Sequence, residues 1–278
     1  ITYLLMWIVV GSGLYIYAFY KTGIAEAYAS VEHLTLQQWW LGGVMRSVHR
    51  YASDAMALTM VLHLARHWTF DRYRGLRWFS WVSGVAVLWL VYVAGINGYM
   101  LPWDKMAQFV VIATAEWFDW LPLFNGTLVR NFILPENLND RLFSLLSFIH
   151  IGVPLAVMAL LWVHTQRVPQ AKTSPPAPIA ITLLAALVVL SLIKPALSQG
   201  EANLSHAVTV LDFDWFYLPV YALLYEWGPA RVWLLVAGGT LLLAALPWLP
   251  PRRRSAPLDG FHMLVRPDNR IVGVRDGE

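Results

Sequence analysis

The sequence has no cysteine among its 278 residues. This excludes disulfides, thiolate zinc, iron–sulfur ligation and thioether-attached haem within these residues, and leaves histidine as the strongest metal ligand on offer. Charge is nearly as scarce. Only 13% of residues are charged, about half the roughly 25% of a soluble domain. The balance of 20 Lys+Arg against 17 Asp+Glu is a formal +3, and nothing in it calls for a nucleic-acid partner. With 58% hydrophobic residues and a mean hydropathy of +0.52, the composition argues against a soluble globular protein and for an all-α integral membrane protein. The first apolar run has no charged flank and opens at Ile1, so it does not read as a signal peptide. The expectation is a chain that begins inside a helix.

Apolar runs between charged or Pro/Gly-rich breaks give six candidate spans, at about 1–20, 45–66, 78–101, 142–164, 178–194 and 231–249, each near the ~20 residues that cross a ~30 Å hydrocarbon core. Proline-rich residues 169–178 cannot be helical throughout. The expected organisation is a four-helix domain over 1–168, a linker over 169–178, a two-helix module over 179–250 and a tail over 251–278. If alternate loops share a side, one side holds Arg66, Arg72, Arg74, Arg77, Arg167, Lys172 and Arg252 to Arg254 with the single acid Asp71, and the other holds most of the acids. The positive-inside rule makes the first side cytoplasmic, so the first helix runs outward and the C-terminus is cytoplasmic. Trp39, Trp40, Trp78, Trp81, Trp103 and Trp162 lie near span ends and suit an interfacial belt, although core packing explains many of them equally well. In the tail, short apolar stretches around Asp268-Asn269 predict a small β-hairpin, too short to fold alone.

Four histidines fall inside spans: His49 and His63 on the second, His150 and His164 on the fourth, each pair fourteen residues apart. Fourteen residues is just under four helical turns, so both members of a pair face nearly the same way, ~21 Å apart along the axis. A lone intramembrane histidine is more often a packing residue. Two equal separations on helices that run in the same direction instead predict two stacked bis-histidine sites for b-type haems, His49 with His150 on the outer side and His63 with His164 on the inner side. Arg46 and Arg66 flank the second-span histidines, where propionates need counter-charge. Gly84 and Gly98 on the third span repeat the spacing of fourteen and predict clearance for flat macrocycles at the same two depths, a better account of the repeat than ordinary close packing.

From these residues the chain resembles the cytochrome b family of quinol-oxidising bc and bf complexes. Arg46 to Arg66, containing both histidines, resembles that family's second helix in its shorter, split form. Gly98-Tyr-Met-Leu-Pro-Trp103 is similar to its GYxLPW signature, and His150-Ile-Gly-Val-Pro154 to the H-x-x-x-P start of its fourth helix. Asp214-Trp-Phe-Tyr-Leu-Pro219 resembles the PEWY region, with Asp for Glu and Phe213 where Pro is usual. The resemblance covers about 1–250. It implies axial ligands at His49, His63, His150 and His164, propionate partners at Arg46 and Arg66, and haem clearance at Gly13, Gly84 and Gly98. A counterpart fourteen residues before Gly13 would precede Ile1. It further implies an outer quinol site built from the 103–140 and 205–225 segments, in which Asp214 accepts a quinol proton beside Trp215 and Tyr217.

Departures from the family pattern are specific. Leu145 stands where the family has an arginine before the fourth-helix ligand, Arg141 lies a further turn away, and Pro169 stands at an often polar inner-site position. Asp54, five residues after His49, reads first as a structurally paired carboxylate. The tail Met263 to Glu278 resembles the opening hairpin of a plant-type [2Fe-2S] ferredoxin domain, whose cysteine loop would fall beyond Glu278. The expected partners are membrane lipid, the quinone pool, a Rieske iron–sulfur protein and a cytochrome c, with a homodimer open, in an energy-transducing membrane such as a bacterial plasma membrane. Two rival readings stay open: a dihaem anchor linking a ferredoxin or dehydrogenase to quinone without a Rieske partner, and a haem-free transporter or scaffold.

Overall fold

The computed structural model describes residues 1–134, 136–168 and 171–250, together with the backbone of 261–265 and 271–275. Nine α-helices are found among them: α1 Thr2–Phe19, α2 Ala27–Glu32, α3 Val44–Thr69, α4 Trp78–Met100, α5 Lys105–Asp119, α6 Asp140–Gln166, α7 Ala177–Ile193, α8 Pro219–Trp227 and α9 Pro229–Ala245. Each of the six expected spans corresponds to one of the long helices. Four segments are long and apolar enough to cross a membrane: Thr2–Phe19, Gly75–Met100, Asp140–Gln166 and Pro229–Trp248. Helix α7 falls short in length at 17 residues. Helix α3, with 26 residues, falls short in hydropathy because it carries Arg46, Arg50, Asp54, Arg66 and three histidines. Such groups persist at that depth only when they are paired or face the bundle interior.

Residues Ile1–Pro247 form one compact unit. Within it α1 packs along α3, α4 packs along α6, and α3 meets α4 and α7. The histidine helices α3 and α6 are thus each backed by a glycine-bearing helix. Pro154 lies inside α6. It has no N–H to donate to the carbonyl four residues earlier, that of His150, so the helix is relaxed at the histidine itself. At one end of the bundle the Arg167 guanidinium lies 5.2 Å from the Phe79 ring centre, which brings the end of α6 to the start of α4 beside the arginines of the α3–α4 turn.

The second half is stitched to the first by backbone. Asp104 caps α5: its Oδ1 accepts from the Ala107 N–H at 2.9 Å, and its Oδ2 accepts from the Gln199 N–H at 2.9 Å. The Lys105 N–H donates to the Gly200 carbonyl at 2.9 Å and the Ala202 N–H donates to the Trp103 carbonyl at 3.0 Å, forming a short antiparallel bridge. Gln108 continues it by holding Asn203 through both ends of its amide.

The expected hairpin is present as β1 Phe261–Val265 paired antiparallel with β2 Ile271–Arg275, in a separate unit of residues 248–278. Asp268 and Asn269, where the turn was expected, together with Arg252, Arg253, Arg254, Pro169 and Gln170, lie outside the described residues. Asp104→Ala removes both a helix cap and a tie to the segment that follows α7. The expected loss is about 1–2 kcal/mol for the cap alone, read as a lower thermal midpoint of the detergent-solubilised protein, with Asp104→Asn recovering part of it.

Candidate functional site

The histidines lie where the helix pairing puts them. The His49 Nδ1–H donates to the Val9 carbonyl of α1 at 2.9 Å, with Ser12 Oγ at 3.3 Å, and the His150 Nδ1–H donates to the Ala94 carbonyl of α4 at 3.0 Å. A carbonyl only accepts, so both rings carry their proton on Nδ1 and present an Nε2 lone pair. His164 Nδ1 lies 2.9 Å from Ser83 Oγ, whose hydroxyl faces the Ser80 carbonyl at 3.3 Å, so the serine oxygen is the acceptor here too. The His49 and His150 ring centres are 6.2 Å apart. His63 is exposed in the protein alone, lies within electrostatic reach of His164 and has the His67 ring at 4.5 Å.

Three glycines make these contacts possible. A Cβ at Gly13 would come within 2.9 Å of His49 Cε1, one at Gly98 within 2.9 Å of His150 Cε1, and one at Gly84 within 3.2 Å of His164 Cε1. Where clearance for a macrocycle was expected, the atoms that meet these glycines are those of the imidazoles themselves. Of the two expected propionate partners, Arg66 is exposed and Arg46 is not free: its guanidinium donates to Glu32 at 3.4 Å, Ser198 at 2.8 Å and Thr35 at 2.5 Å.

Asp214 is buried at the meeting point of three sequence-distant segments. Its Oδ2 is bonded to Arg50 and accepts from the Tyr99 hydroxyl, while its Oδ1 accepts the backbone N–H groups of Phe216 at 2.7 Å and Tyr217 at 2.8 Å. Arg50 is shared. Its Nη1 holds Asp54 at 3.0 Å, and its guanidinium lies 4.6 Å from the Tyr99 ring centre. The tyrosine of the GYxLPW-like stretch and the aspartate of the PEWY-like stretch therefore meet through an arginine next to His49. Trp215 is 71% exposed. Tyr217 is fully buried, and its hydroxyl is held by Ser53. A Cβ at Gly95 would overlap the Tyr217 ring. Burial pushes the Tyr217 phenol well above its usual range, against the hydrogen bond from Ser53, so it remains a neutral hydroxyl and is no proton acceptor at ordinary pH.

Beside this network lies an apolar cavity of about 560 Å³ between α4, α5, α6, α8 and α9. Its wall includes residues from Val111 to Ile133 and from Tyr217 to Leu223, the two segments expected to form a quinol site, and also Asn97, Trp117 and Leu145. Asp214 and Trp215 stand off this wall, behind Tyr217. Sequence reading missed Arg50 as the ion-pair hub, His67, Gly95, and the cavity faces of Asn97 and Trp117. Gly95 left a sequence signal as a further small residue beside Gly98, and Arg50 left one only toward Asp54, four residues on, not toward Asp214.

Helix topology and paired intramembrane histidines define a multi-pass helical membrane protein with polar sites buried between its helices. The family model described as cytochrome b/b6/petB matches residues 1–171, and the chain belongs to the cytochrome b/b6 family. It is 32% identical over 161 residues to cytochrome b6 of Heterocapsa triquetra, covering 55% of this chain and 72% of that protein. It is 28% identical over 159 residues to cytochrome b6 of Gracilaria tenuistipitata var. liui, covering 56% and 72%. Among solved structures it shares its fold with a chain of a hyperthermophilic respiratory Complex III, with a TM-score of 0.72 at 17% identity over 89% of this chain and 73% of that one.

Arg50→Gln strands two carboxylates in a low-dielectric site, and breaking such a cluster costs about 3–5 kcal/mol. The expected result is a large drop in the denaturation midpoint in detergent, partly restored by adding Asp54→Asn.

Proposed function

We propose that this chain is the dihaem cytochrome b subunit of a bc-type quinol-oxidising complex. His49 and His150 hold an outer b haem, and His63 and His164 hold an inner one. The observation that carries this reading is the outer histidine pair. A metal about 2.0 Å from each ring nitrogen sets two imidazole centres roughly 6 Å apart, and His49 and His150 are at 6.2 Å with both Nδ1 atoms engaged elsewhere. Outer contacts of this kind fix ring orientation and raise ligand basicity. When bound, the two haems supply reversible one-electron transfer at two depths of the membrane.

The residues around them do the rest. Gly13, Gly84 and Gly98 let the imidazoles reach the neighbouring backbone. Arg66 is available to a propionate, and Arg46 has five N–H donors with which to share itself between a propionate and Glu32. The apolar cavity takes the quinol, and its apolar lining suits the ring. Asp214 turns away from Arg50 and accepts a quinol proton, while Arg50 stays paired with Asp54, which already holds the other arm of the guanidinium. Tyr217 and Trp215 border that path. In this reading the outer partner is a Rieske protein passing electrons to a cytochrome c, the acid-poor loop side faces the cytoplasm of a bacterial plasma membrane, and residues 1–168 and 179–250 act as the dihaem and quinol-site modules. The tail hairpin supports a second reading, in which the same dihaem core anchors a ferredoxin-like or dehydrogenase partner to the quinone pool.

Pyridine-haemochrome analysis tests the ligand assignment. The purified chain is expected to hold two b haems. His49→Ala and His150→Ala should each lose the same one, and His63→Ala and His164→Ala the other; two haems retained in all four variants would overturn it. Asp214→Asn should slow quinol oxidation at least about tenfold with both haem spectra intact, and unchanged turnover would remove the proton role. Co-purification of a Rieske protein separates the two readings.

A further inference from the structure

We propose that Asn97 and Trp117 are the polar ligands with which the apolar cavity recognises a hydroquinone ring, Asn97 Oδ1 accepting from a ring hydroxyl and Trp117 Nε1 donating to a ring oxygen. The inference rests on the quinol reading of that cavity and names the side chains that make it selective. Asn97 is 5% exposed and Trp117 7% exposed, both line the cavity, and neither Asn97 Oδ1 nor Trp117 Nε1 has a hydrogen-bond partner among the described residues. A buried donor or acceptor left unpaired bears its full desolvation penalty with nothing to offset it.

Three other polar groups on the wall, those of Tyr221, Thr114 and Tyr217, are already matched. The Tyr221 hydroxyl lies 2.6 Å from Thr114 Oγ1, Thr114 donates to the Val110 carbonyl at 2.6 Å, and Tyr217 donates to the Ser53 carbonyl at 2.8 Å. Both unpaired groups are held in place. The Trp117 ring stacks on Trp233 at 4.6 Å, and Trp233 Nε1 donates to the Trp117 carbonyl at 3.1 Å. The Asn97 amide turns its Nδ2 to Met100 Sδ at 3.8 Å. A thioether accepts but cannot donate, so the oxygen is the end left for the cavity. A lipid acyl chain fits the apolar wall but answers neither group. A flat apolar ring with a hydroxyl donor and an oxygen acceptor answers both.

The test is anaerobic calorimetric binding of duroquinol and of its dimethyl ether to the purified haem-loaded protein. Asn97→Leu and Trp117→Phe should each weaken duroquinol about 5- to 10-fold with the haem spectra unchanged. The dimethyl ether has lost its donors and should bind wild type more weakly than duroquinol. Asn97→Leu should abolish that preference, and Trp117→Phe should weaken both compounds alike. Duroquinol affinity unchanged in either variant, or a preference for duroquinol that survives Asn97→Leu, overturns the proposal; if Asn97→Leu does not assemble, Trp117→Phe decides alone. Duroquinol oxidation that proceeds while both variants bind it as wild type does would sink this inference and leave the function standing. The predicted binding pattern without any haem reduction would do the reverse.

Discussion

The arrangement depends on imidazole rings lying directly on the backbone of a neighbouring helix. A histidine in a membrane helix has two nitrogens to satisfy, and at His49 and His150 one is satisfied by a carbonyl four residues before a glycine on the adjacent helix. The glycine opens the space and the carbonyl fixes the tautomer. These two facts set the distance between α1 and α3 and between α4 and α6, and they aim the remaining nitrogen at the opposite helix pair. At His164 the acceptor is the Ser83 hydroxyl instead, beside Gly84. A larger residue at any of the three glycines would separate a helix pair and withdraw the ring at once, so helix packing and imidazole placement are one constraint here.

A second constraint joins the halves. Arg50 follows His49 by one residue and so sits on a neighbouring face of α3, where it bonds both Asp54 and Asp214. One cation between two carboxylates leaves an excess negative charge in a poorly solvated place, tolerable because Tyr99 and two backbone N–H groups also donate to Asp214. The consequence is positional. The segment before α8 is tied to α3 and α4 at a single buried carboxylate, while the bridge at Asp104 ties its upstream part to α5. The cavity wall formed by Tyr217 and Tyr221 is held from both sides, independently of the apolar contacts that line it.

Much of this was legible in the sequence because it is periodic. Span positions follow from apolar runs, the histidine pairs with Gly84 and Gly98 from one repeated spacing of fourteen, Gly13 from the family resemblance alone, and the tail hairpin from short apolar stretches around turn residues. What was not legible is aperiodic and long-range. No local pattern states that Arg50 reaches a residue 164 positions away, or that Gly95 is bare so that the Tyr217 ring can lie on it. Arg46 shows the same limit from the other direction. Its place one turn before His49 was plain, but its engagement by Glu32 and Ser198 depends on a loop and on a segment that returns only after α7.

Asp54 shows how one substitution-sized change can alter such a network. Without it, Arg50 would have Asp214 as its sole carboxylate, and releasing Asp214 would leave a bare guanidinium in the membrane, a costly state. With Asp54 on the other arm, the cation keeps a partner whichever way Asp214 turns. The barrier to freeing Asp214 is then that of exchanging hydrogen bonds rather than of isolating a charge. In the proposed proton role of Asp214, a carboxylate that is structural in the resting arrangement is thus what would make the neighbouring one movable, and its position one turn along from Arg50, at i+4, is the spacing at which a helix offers that contact without distortion.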